Sequence, residues 1–525
     1  MNRVLGLIVL IMSSVMSVWS FAADSELRVA TPNDPSIDPH FLYVSTNAAY
    51  ARHLYGKLVD LDGDGNVIPS LAVEWKNIDE NNWELKLREG VKFHDGSDFD
   101  AKDVIASFER VPNVPNNPAS YVSNTNMIES ITEKDPHTIV ITTKMPYALL
   151  LRRISGIGII PSEIAETDTT EDFTSGKAAI GTGPYKFSEY VPGDRYVIER
   201  NEDFWGEKPA YEKVIFRIMP ESASRMAALL GGDVDLLEGL PPATVETLEE
   251  RDGFYVAQRP SSRTMWLFID THNEVSPFVR DNDGNAMDTN PLLDPKVREA
   301  LSLAINRDAI VERVMGGLAE PANQIVADGW FSHSPNIPEA SYDPERAKAL
   351  LAEAGYPDGF QLTIHGPNDR YPNDEKVVQA IAQMLTRVGI KTEVATMPKS
   401  IYFGRMNERE FSLAFIGWDN GLTGSSLMSL SAAFHTRDKD AGEGSWNAGG
   451  YSNPEFDAAI EKAEGAFDMD EQEQSLIRAM DIMIAEDKAA VPLYTQFVIT
   501  GAKDTVSYTP RVDEHFSAMA AKPAE

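Results

Sequence analysis

The sequence predicts an α/β protein of two lobes joined through strands. Its 525 residues are too many for one hydrophobic core. Hydrophobic content of 42% and charged content of 24% are ordinary globular values. Apolar residues recur with period two in some stretches and at helical spacing in others, including one complete βαβ unit. Neither an internal repeat nor a low-complexity linker divides the chain, so the joint between lobes falls to strands, which suits a hinge.

The N-terminus reads as a secretory signal peptide: Arg3, an apolar run over 4–18, and small residues at Ser20 and Ala22, with cleavage expected after Ala22. The run is shorter than the roughly 20 residues of a membrane span. Cysteine is absent, which rules out disulfides, thiol catalysis, Cys-ligated metal and a lipid-anchored N-terminal Cys. A periplasmic address is therefore expected. The net charge of −34 disfavours nucleic acid and anionic lipid as partners.

Residues 27–30 open the mature chain as a strand, and the loop after it carries Asp38-Pro39-His40, Tyr43 and Asn47. In 71–110, Trp83, Leu85 and Leu87 alternate with charged residues, as in a half-buried strand. His94-Asp95-Gly96 reads as a turn. Asp100 is placed to cap a helix with Ala101, Val104, Ile105 and Phe108 on one face. Asp60 to Gly65 and Asp281 to Asn285 imitate calcium loops but have Leu71 and Leu292 where a bidentate Glu is needed, so they read as polar turns. Gly181-Thr182-Gly183-Pro184-Tyr185 lacks the endings of a phosphate loop. Strands follow at 214–218 and 263–270, the latter leaving the first lobe. Helices open at Asp294-Pro295 and Asp343-Pro344. The βαβ unit has strands at 362–365 and 391–395 around a helix lined by Val377, Ile381, Leu385 and Val388. A buried strand over 411–418 runs into Asp419-Asn420-Gly421. Amphipathic helices at 456–466 and 476–485 precede a returning strand at 491–499, and the tail after Pro510 is weakly patterned.

The run W…D…W-x-L-x-L-R-x-G-V-K-F-H-D-G…A-x-D-V…S-x-x-R within 71–110, the G-T-G-P-Y of 181–185 and the D-P-x-V-R-x-A-L of 294–301 resemble the family 5 solute-binding proteins. These are extracytoplasmic peptide-, nickel- and opine-binding receptors of bacterial ABC importers. The resemblance implies a type II periplasmic binding protein fold, of the large class with an extra subdomain. Lobe I is then expected over 23–271 with the subdomain at about 58–180, lobe II over 272–498, and a return to lobe I over 499–525. It also implies a monomeric receptor that delivers its ligand to a membrane permease; no cofactor and no metal are expected.

In peptide-binding members an acidic residue just after the G-W of this strand pairs with the peptide ammonium, and Gly417-Trp418-Asp419 matches that position. Trp418 is expected as a flat wall, with Asn420, Tyr43, Asn47, Trp266, Tyr402 and Arg405 as further ligand contacts and Arg370 as a cation for a carboxylate. Where peptide and nickel members continue with an acidic residue and Pro, this chain has Leu422-Thr423-Gly424-Ser425-Ser426. The hydroxyl-rich run from Thr423 to Ser431 therefore keeps an opine or oligosaccharide open as the alternative to a peptide, and a metal chelate or a carboxylate hydrolase ranks below both. H-E-x-x-H, G-x-S-x-G and P-loop motifs are absent, and the nine histidines are scattered. Catalysis is not expected.

Overall fold

The computed structural model describes residues 26–421, 424–438, 443–466 and 468–524. The expected signal peptide, and Leu422 and Thr423, lie outside them. Among the described residues, one mixed sheet of 12 strands runs through both lobes. Its middle is an antiparallel pair of long strands, Phe254–Ile269 and Ala490–Lys503. Their register runs from Phe254 opposite Lys503 to Phe268 opposite Ala490.

Toward one end, Ala490–Lys503 pairs with Leu236–Glu238. That short strand lies parallel to Glu26–Thr31, which in turn lies parallel to Lys213–Ile218. Leu27, Val29, Tyr50, Tyr196 and Phe216 fill the core there. Toward the other end, Phe254–Ile269 pairs with Leu413–Asp419, followed by parallel Phe360–Pro367 and Ile390–Met397. The predicted βαβ unit is present, its helix spanning Asp374–Arg387. In this half the sheet is buried on both faces. Met265 and Leu267 enter one core with Val297 and Ile381, while Trp266 and Phe268 enter the other with Phe434 and Leu476.

The hinge strand is longer than the sequence indicates. Its first half contains Gln258, Arg259, Pro260 and two serines, which hide the strand pattern. The structure accommodates them by a register shift between Pro260 and Thr264, where Pro belongs in a sheet.

The stretch 71–110 supplies two strands, Ala72–Asn77 and Asn82–Leu87, of a separate four-stranded sheet that Ile128–Asp135 and Thr138–Thr143 complete, over a core that includes Trp83, Leu85, Phe93, Val104 and Phe108. Asp100 caps the helix Ala101–Arg110, with Asp103 bonding back to complete a capping box. The last residue of the helix holds the layer to the first strand's loop. Arg110 meets Asp38 at 2.7 Å, with side-chain exposures of 6% and 0%. Arg110 also donates to His40, whose other ring nitrogen bonds Gly158 O.

His94 is a staple: its Nδ1 accepts from the Gly181 N–H at 3.2 Å, and its Nε2 lies 3.1 Å from Gly183 O. The two glycines are needed because a Cβ would fall 2.1 Å from Leu54 O at Gly181 and 2.5 Å from Leu54 C at Gly183. The calcium-like segments are turns, with Asp62 and Asp281 each accepting backbone N–H groups two and four residues on.

Replacing Arg110 by Ala strands Asp38 in the interior. It should cost about 3–5 kcal/mol, read as a lowered denaturant midpoint, and the loss should exceed that of the double variant with Asp38→Asn. Burial pushes His40, His53 and His94 down to about 4. These groups are neutral when folded, so their stability contribution is complete above the unfolded value near 6.5 and is lost as the pH falls toward 4. Thermal melts across pH 7 to 4 should show that decline.

Candidate functional site

The strand Leu413–Asp419 ends at the junction of the lobes, with Asp419 directly opposite Arg263 on the hinge strand. One carboxylate oxygen of Asp419 accepts from the Ser262 hydroxyl and, at 2.8 Å, from the Gly421 N–H. The other oxygen is 3.9 Å from the Arg263 guanidinium. That guanidinium is committed elsewhere, to Glu514, at 2.9 Å. Gln496 also donates to Glu514, at 2.7 Å.

Two carboxylates thus meet around one cation. The Asp419 side chain is 10% exposed. Burial pushes its carboxyl up, Arg263 opposes this, and the neighbouring Glu514 charge adds to the rise, so it ends well above the usual carboxylate range. Glu514 goes the other way, because Arg263 holds it directly. Asp419 is a carboxylate with hydrogen-bond donors but no cation of its own.

The loop after the first strand brings Tyr43 to the same place. Its ring packs 4.5 Å from that of Tyr121, and both Arg153 and Asp419 act on its hydroxyl electrostatically. A narrow cavity of about 30 Å³ opens here, lined by Tyr43, Asn124, Arg152 and Arg153 on one side and by Gly421 and Asp513 on the other. That is room for a water or two.

The expected contacts divide. Asp419 and Tyr43 come together, and Trp418 stands next to them, half-buried, its ring edge-on to Trp446 at 6.2 Å. Asn420 is buried and donates to Ile325 O at 3.0 Å, leaving its Oδ1 without a partner. Of the nine expected contacts only Tyr43 lines the cavity, and the remaining five are engaged elsewhere. Trp266 is fully buried between Phe268 and Phe434, because period two in a strand covered on both faces turns every large residue inward. Tyr402 is likewise buried, its hydroxyl donating to Phe415 O at 2.8 Å. Asn47 accepts from Ser36 N and donates to Leu42 O, so it shapes the loop that carries Tyr43. Arg405 pairs with Glu410 at 2.6 Å. Arg370 is exposed and lies over Tyr371.

Three hydroxyls of the described part of the run after Gly421, 424–431, turn inward. Ser425, Ser426 and Ser429 are fully buried; Ser426 bonds Ser332 at 2.6 Å, and Ser429 bonds the Ser426 carbonyl. A polyhydroxyl ligand would find little of them available.

Sequence reasoning missed Ser262, Arg263 and Glu514, and the cavity residues Asn124, Arg152, Arg153 and Asp513. The tail after Pro510, weak in pattern, supplies two of these. Its one signal was the dense alternation of charge in Arg511-Val512-Asp513-Glu514-His515.

Replacing Glu514 by Gln frees Arg263 for Asp419. The Asp419 carboxyl should then titrate lower than in the parent, measured by NMR of the carboxyl carbon; an unchanged or higher value would contradict the shared-cation geometry.

The sequence profile of the bacterial extracellular solute-binding proteins, family 5 Middle, matches residues 66–441. The glutathione-binding protein GsiB of Escherichia coli (strain K12) is 27% identical over 531 aligned residues, covering 98% of this chain and 97% of that one. Among solved structures, the periplasmic binding protein DppA from Helicobacter pylori, in complex with the peptide STSA, is 26% identical. It aligns over 95% of this chain and 98% of its own with a TM-score of 0.73. HbpA2 from Haemophilus parasuis, at 22% identity, shares the fold with a TM-score of 0.80 over 95% of this chain and 100% of its own.

Proposed function

This chain belongs to the bacterial extracellular solute-binding proteins of family 5, and on that premise we propose that it captures a peptide or peptide-like solute between its lobes and hands it to the permease of an ABC importer. The observation that carries the reading is Asp419: a carboxylate at the lobe junction, held by two donors, whose only nearby cation among the described residues is taken by Glu514. An α-ammonium is the group such a carboxylate lacks. In a closed, dry cleft that pair is worth far more than in water.

Tyr43 and Asp419 come from different lobes, so a ligand touching both is bound fully only when the lobes meet, and binding drives closure. The division of labour expected is lobe I over 23–271 with the tail 499–525, lobe II over 272–498, and the subdomain at about 58–180. Peptide relatives support the choice of ligand: GsiB is named for glutathione, and the Helicobacter pylori protein is in complex with a peptide. The inward-turned serines count against the opine or oligosaccharide alternative.

The work is binding rather than catalysis. Export to the periplasm as a monomer, through a signal peptide removed after Ala22, fits a chain in which no helix among the described residues is long and apolar enough to cross a membrane.

The test is calorimetric titration with glutathione and with a tripeptide panel, preceded by native mass spectrometry of the protein from a periplasm. A ladder of released peptide masses, or titration by any panel member, supports the reading. A single non-peptide mass, with no peptide binding, overturns it. For the bound peptide, affinity should fall as the pH drops from 7 to 5, because protonation of Asp419 in the free site competes with the ammonium. Asp419→Asn should weaken binding by on the order of tenfold or more and flatten that profile.

A further inference from the structure

The cavity at the lobe junction has the opposite charge to the rest of the molecule. The chain carries −34 overall, yet four cations, Arg52, Lys57, Arg152 and Arg153, line this one small space, with Asp513 as the one carboxylate among its lining residues. Asp513 is already engaged, bound to Arg511 at 2.6 Å and close to His515.

The cations are not equally satisfied. Arg52 and Lys57 share Asp60, at 3.0 and 3.2 Å. The Arg52 side chain is 3% exposed; its Nη1 lies 3.8 Å from the Asp513 carboxylate without a hydrogen bond, and its Nε has no hydrogen-bond partner. Arg152 donates to the Gly65 carbonyl at 2.8 Å, and Arg153 to the Tyr147 hydroxyl at 3.0 Å and the Met428 sulfur at 2.9 Å. Among the described residues neither Arg152 nor Arg153 makes an ion pair; Asp62 and Glu464 act on them at longer range. Guanidinium groups held in a partly dry cleft without carboxylates are costly. Planar, bidentate recognition of a carboxylate is what relieves them.

We propose that Arg152 and Arg153, backed by Arg52, form a carboxylate subsite, and that the solute is an acidic peptide carrying a side-chain carboxylate in addition to its terminal one. The subsite rests on the peptide reading for its ligand class, not for its geometry. Tyr43 lines the cavity with Arg153, and the charges of both Arg153 and Asp419 act on its hydroxyl. The cleft therefore offers an anion for an ammonium and cations for carboxylates within one short span. Surface repulsion from the acidic body works against such a ligand's approach, so the cationic patch is the selective element. Arg152 and Arg153 come from the subdomain side and Gly421 from across the junction, so the bound carboxylate is enclosed on closure.

The probes are the tripeptides Ala-Glu-Ala and Ala-Gln-Ala and the dicarboxylate glutarate, titrated into the full purified protein by calorimetry. Ala-Glu-Ala should bind tighter than Ala-Gln-Ala by on the order of tenfold. In the Arg152→Gln, Arg153→Gln double variant that ratio should approach one. Arg153→Lys, which keeps the charge, should retain most of it, and thermal melts confirm that each variant is folded. Asp419→Asn should weaken both peptides alike and leave their ratio intact. If both peptides bind with equal affinity to the parent, or the ratio survives in the double variant, the subsite is wrong while the peptide reading stands. If glutarate alone binds, and only with both arginines present, the subsite stands and the peptide reading falls. If no acidic probe binds, the subsite is wrong.

Discussion

Arg263 faces two carboxylates and can serve one. Glu514 takes it at hydrogen-bonding distance, and Asp419 is left at 3.9 Å. Everything distinctive about the lobe junction follows from this imbalance. A paired Asp419 would be a structural ion pair at the base of a hinge. Left at that distance, it is a buried carboxylate at a cost, held in place by Ser262 and the Gly421 N–H, and in the proposed function a ligand ammonium offsets that cost. The same logic, with the sign reversed, applies across Tyr43 to Arg152 and Arg153.

The imbalance depends on the hinge geometry. Ser261, Ser262 and Arg263 fall in the register shift of the long strand, where the ladder with Ala490–Lys503 is interrupted. An interrupted ladder frees side chains and backbone to bond sideways, and Ser262 uses this to reach both Asp419 and Val512 O. The C-terminal tail is thereby fixed against the hinge, which sets Glu514 beside Arg263. Two strands shared by both lobes bend as a unit, whereas a flexible linker would let the lobes drift and would lose the alignment of Tyr43 with Asp419.

The subdomain contributes by a different route. Its packing is conventional, and its link to the first lobe is concentrated in Arg110, Asp38, His40 and the His94 staple. That fixed attachment is what lets Arg152 and Arg153 present charge at the junction from a layer whose own core lies elsewhere.

Much of this was written in the sequence. Alternation over 82–87, the Asp100 cap and the helical stripe beyond it each depend on neighbours within a few residues, so the local pattern sufficed. The strand end at Asp419 was legible for the same reason, and the motif around Gly417-Trp418 pointed to a carboxylate there. Sequence alone could not say that Trp266 and Tyr402 are core residues, since an aromatic in a strand looks the same whether its face meets solvent, a ligand or another layer. Nor could it say that Arg263 is spent on a residue 251 positions away, or that Arg153 and Asp419 face one space. Those facts are about which charges meet across the fold, and only long-range packing, with the desolvation it imposes, decides them.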